Sequence, residues 1–126
     1  MNESNVNAVR SALLYMAALY HQIAFRADKF DDGAISDAAI TAERTAQRLS
    51  VSVANEGIVT AADAQTVLVA LSALVDSMNV ELQKMHTRGQ IQDAALVEHR
   101  IREVYEAIAA VGLLARGLAP AEVATA

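Results

Sequence analysis

The chain has 126 residues, no cysteine, a formal net charge of −5 and 54% apolar side chains. A single domain of that length can bury a core without staples, and the missing thiols exclude disulfides, zinc–thiolate sites and iron–sulfur clusters. The acidic balance and dispersed Lys and Arg argue against nucleic-acid binding, which needs clustered cations to neutralise phosphates.

Alanine, present 27 times, raises helix propensity throughout. A first helix is predicted over about 5–30. Ser4 or Asn5 can cap it, and Val6, Val9, Leu13, Met16, Tyr20, Ile23, Ala27 and Phe30 follow an unbroken 3-4-3-4 alternation. A second, about 36–55, opens at Ser36, and the series Ile35, Ala39, Ala42, Ala46, Leu49 and Val53 keeps the same rhythm. The third, about 61–87, opens on Thr60-Ala-Ala-Asp63, an acidic variant of the capping box, and carries Ala64, Leu68, Leu71, Val75, Met78, Leu82 and Met85. The fourth, about 92–116, places Ala94, Val97, Ile101, Val104, Ile108, Val111 and Ala115 on one seam that runs on to Leu118. Gly33, Gly57 and Gly89 stand where helix-terminating residues belong, Gly112 is expected to allow a close helix crossing, and 117–126 is left as a loosely held tail. Four heptad-like seams joined by short loops predict an all-α fold. Its simplest form is one antiparallel up-down-up-down four-helix bundle over 1–126.

Three segments are apolar on every face: Ala12–Tyr20, Val67–Val75 and Ala107–Ala115. A membrane span needs roughly 20 apolar residues in a row. Val67–Val75 falls short, so no membrane association is expected. Folding the third and fourth helices back at Gly89 brings their greasy halves to one end of the hairpin. A bundle helix buries one stripe, so Leu19, Val67, Leu74, Leu113 and Leu114, which lie off the seams, predict a self-association surface and a homodimer. A thicker core, in which the second helix or the tail covers this surface, is the alternative use of the same residues. The charged end suggests a second, polar recognition surface at Arg44, Arg48, Arg88, Glu98 and Arg102, against the plainer reading of solvated i,i+4 pairs such as Glu98 with Arg102.

Motifs for chemistry fail one by one. His21, His86 and His99 lack the Glu three residues earlier that a di-iron bundle uses. A site shared by His21 and His99 is the one metal or proton-transfer arrangement the bundle geometry leaves conceivable. Taken as a calcium loop from Asp28, the acidic stretch has Phe30 at the third position and Ala39 at the twelfth, where ligands are required. No nucleophile elbow or phosphate-binding glycine loop occurs. Tyr15, Tyr20, Tyr105, Phe25 and Phe30 could line a ligand cavity, but aromatic residues at helical spacing are expected mainly in the core. No cofactor, metal or catalytic residue is therefore assigned. The stretch MNESNVNAVR lacks the pattern of a secretory leader, which with the absent cysteine leads to an expected cytoplasmic location. The function expected is non-enzymatic: an adaptor, regulator or inhibitor, including one carried by a phage or plasmid, that binds another protein. The alternative is a bundle holding a small apolar ligand or metal in its interior, with or without catalysis.

Overall fold

The computed structural model describes residues 1–30 and 32–125, with side chains through Leu118. Four helices carry the chain: α1 (Glu3–Lys29), α2 (Gly33–Asn55), α3 (Ala61–Thr87) and α4 (Ile91–Thr125). The fold is the expected all-α bundle of four helices. Helix starts differ in detail from the sequence reading. Asn2, rather than Ser4 or Asn5, caps α1, its side chain accepting the N–H of Asn5 at 2.8 Å. Asp32 caps α2 by accepting from Ile35 N–H at 3.2 Å, so Gly33 begins that helix instead of ending the previous one. Asn and Asp are better caps than most residues because a short side-chain oxygen reaches an orphan N–H. Thr60 caps α3 as expected, accepting from Asp63 N–H at 3.1 Å. Gly57 and Gly89 hold φ of 78° and 71°, which a side chain would strain. The backbone of α4 stays helical past Gly117 and Pro120 to Thr125, where a separate tail was expected; the side chains from 119 onward lie outside the described residues.

Helices α1 and α2 form one hairpin, α3 and α4 another. Helix α1 joins them, packing against α2, α3 and α4, whereas α2 scarcely meets α3. This is not the neighbour order of an up-down-up-down bundle, where α2 flanks α3. The sense differs too. Met16 and Tyr20 of α1 share a groove with Gln65 and Val69 of α3, while Asn7 and Ser11 share another with Leu74 and Met78. Helix α1 therefore runs against α3, and the regular bundle would set the two parallel.

The physical cause is the stretch Val67–Val75. Covering a helix that is apolar on all sides needs a partner on each side, and α4 supplies one and α1 the other. Val9, Leu13, Leu49, Val67, Leu71 and Val111 are the largest fully buried side chains. Each contributes roughly 1.5–3 kcal/mol by leaving water. An 18-residue window of α3 reaches a mean hydropathy of 1.2, and Ala64, Val67, Ala70, Leu71 and Val75 of that helix lie in the protein core.

Burial fades away from the crossing. After Ala17, α1 buries only Ala24; after Val75, α3 buries no residue; before Ile101, α4 buries only Ala94. The heptad seams nevertheless continue to the helix ends. Each hairpin thus carries apolar positions beyond the reach of the other.

Candidate interaction surface

The structure redistributes the residues assigned to self-association. Val67 is 0% exposed and belongs to the core, which corrects its placement on an outer surface: α1 covers the face that α4 leaves open. Leu19 is half-buried, and Leu74 is half-buried against the core. Leu113 and Leu114 do face outward, Leu113 with 67% of its surface. Val67, Leu71, Val75 and Val111 of the greasy end are therefore interior, covered by α1 where the thicker-core alternative named the second helix or the tail, while Val69, Leu113 and Leu114 stay exposed.

Unpartnered apolar surface lies instead along α1. Its seam passes from fully buried Val9 and Leu13 through half-buried Met16 and Tyr20 to Ile23, 45% exposed, and Phe30, 78% exposed. The buried part ends near the N-terminal turns of α3, whose Gln65 lines the same groove as Tyr20. Because α2 and α3 stand apart, Leu13, Met16 and Tyr20 form the floor of a groove of about 290 Å³, with Ala46 on one wall and Val69 and Ala70 on the other. Ile23 and Ala27 follow at the same 3-4 spacing outside the groove, and Phe30 is the C-cap after the last helical residue, Lys29. From Ser11 to Phe25 the helix contains no Asp, Glu, Lys or Arg. Depletion of charge is the compositional mark of an interface core.

Phe25 and Phe30 are the chain's two phenylalanines, and both are exposed, contrary to the core placement expected for aromatic residues. Tyr105 is exposed as well, and Tyr15 and Tyr20 are half-buried. The sequence carried a signal for Phe25, which lies off the seam, but not for Phe30, which continues the 3-4 spacing yet stands exposed as the C-cap of α1.

The charged residues do not form one surface. Arg48 stands 3.7 Å from Asp63 in the first turn of α3, whereas Arg88 caps the other end of α3, about 37 Å away at about 1.5 Å per residue. Glu98 reaches across to His86 at 3.3 Å instead of pairing with Arg102 along α4. Arg44, Arg88 and Arg102 are exposed and make no ion pair among the described residues. The two ends of this proposed surface therefore separate into an α2 region and an α4 region.

The histidines separate in the same way. His21 Nδ1 lies 3.0 Å from Glu43, linking α1 to α2, and His99 Nε2 lies 2.8 Å from Glu103 on its own helix. Among the described residues no three His, Asp or Glu side chains gather as a metal site would require. A Cβ built on Gly112 meets nothing within 4 Å, so the close crossing expected there is absent. No family model matches the chain, and no curated protein or solved structure is detectably similar to it.

Proposed function

We propose that the protein is a non-enzymatic helical adaptor, regulator or inhibitor of the cytoplasm that works by binding protein, with a homodimer as its resting form. The observation that supports this reading is surplus surface. The chain of 13.4 kDa exposes 8085 Å², against roughly 6,500 Å² for a compact monomer of that mass. Large apolar side chains occur on that surface in every helix, among them Leu14, Val51, Val80 and Leu96. Where such side chains fall at helical-neighbour spacing, as Met16, Tyr20 and Ile23 do on α1, they form the kind of patch that marks association. A foreign partner would meet either Arg44 on α2 or Arg102 on α4, both exposed, whose planar guanidinium groups pair with carboxylates and stack on aromatic rings.

The α1–α2–α3 groove favours a second reading, a small apolar ligand, since about 290 Å³ lies at the lower edge of the ligand-pocket range of roughly 300–1,000 Å³. Native mass spectrometry with light scattering separates the two. Twice the chain mass with no added small molecule supports the protein-binding reading. A monomer that retains a ligand or metal overturns it in favour of the second.

A further inference from the structure

We infer that the α1–α2–α3 groove takes an electrically neutral, two-ring molecule with one hydrogen-bonding group; this rests on the second reading above and gives the ligand its chemistry. The groove exists because α2 scarcely meets α3 and turns alanines, Ala42 and Ala46, toward the gap. Its depth is apolar, with Leu13, Ala46 and Ala70 buried, and its rim carries the exposed Gln65 and Val69. Ligand sites are built in that way, mostly apolar with a few polar groups that fix orientation.

Three features set the class of ligand. None of the ten lining residues carries a formal charge. Arg44, beside Thr45 in sequence, is exposed and projects from another face of α2. A carboxylate or ammonium ligand would lose hydration there with no lining charge to offset the loss. The lining hydroxyls of Thr45 and Thr66 donate to carbonyls of their own helices, at Thr41 and Ala62. The side chains of Tyr20 and Gln65 make no hydrogen bond among the described residues, which leaves a phenol and an amide for a ligand group that donates and accepts. The third feature is size. An apolar cavity of about 150 Å³ holds one benzene ring, and the groove of about 290 Å³ holds two. The rings lie on Leu13, Met16 and Ala46, and the polar group faces Tyr20 and Gln65.

The test titrates the full chain with naphthol, followed by its own fluorescence, which no tryptophan of the protein obscures. One naphthol should bind per chain. Naphthoate, the same rings with a carboxylate, should bind about tenfold more weakly or worse, because its charge finds no partner. Tyr20→Phe combined with Gln65→Leu should weaken naphthol binding about 2- to 10-fold, the range of one neutral hydrogen bond. Ala42→Phe, at a half-buried lining position, should abolish binding while circular dichroism shows the helices intact. If Ala42→Phe loses its helices, the double variant decides. Naphthoate binding as tight as that of naphthol, or naphthol binding unchanged in either folded variant, overturns the assignment. So does naphthol binding that is lost as a dimer forms, since a second copy then fills the groove. Failure of naphthol to bind overturns it as well. A molecule or metal still retained in native mass spectrometry would then leave the second reading standing, and a bare chain would end both.

Discussion

The hydroxyl of Ser36 donates to the carbonyl of Ala24 at 3.4 Å, across the turn between α1 and α2. Beyond the crossing with the second hairpin, Ala24, Ser36 and Ala39 are the buried residues of this arm among those described. Such small side chains let the two backbones lie close. Ala39→Leu should cost about 1–3 kcal/mol by overpacking that contact, while Ser36→Ala should cost about 1 kcal/mol for the hydrogen bond alone. Urea unfolding followed by circular dichroism would measure both. A neutral Ala39→Leu would mean that the arm opens freely.

Leu71 and Leu113 separate interior from surface. Leu71 is fully buried where α1 crosses α3, and Leu113 is largely exposed. Truncating Leu71 to Ala should destabilise the chain by about 2–5 kcal/mol. Leu113→Ala should stay within about 0.5 kcal/mol, as for surface positions generally. Similar losses at both sites would show that the end of α4 is covered in solution.

Two glycines should respond with opposite signs. Gly112 is helical with open space around its missing side chain, so Gly112→Ala should stabilise by about 1 kcal/mol. Gly89 sits at φ 71°, and Gly89→Ala should destabilise by more than the entropic gain of up to about 1 kcal/mol. Thermal melts compared at equal protein concentration would read both shifts. A loss at Gly112 would reveal a neighbour packed against that face.

Every histidine faces a glutamate, yet each pair is largely exposed on the histidine side. Exposed pairs contribute about 0–1 kcal/mol each. Replacing His21, His86 and His99 together by Gln should therefore leave helical content and assembly mass intact. A stoichiometric transition metal in the purified parent protein, or collapse of the triple variant, would contradict this.

The sequence by itself determined that the chain is helical, how many helices there are and where α3 begins. Those properties are local. The 3-4-3-4 spacing, the Thr60 cap and the positive-φ positions Gly57 and Gly89 act within a few residues of themselves. It also marked Val67–Val75 as apolar on all sides, a fact with two physical outcomes, a second partner helix or a second chain. Only the tertiary structure chose between them for Val67, by laying α1 against α3. Hydrophobic burial is non-directional, so periodicity states how much surface must be covered and not which helix covers it. For the same reason Phe30 reads as the last position of a core seam, whereas in the fold it is the C-cap of α1 and 78% exposed.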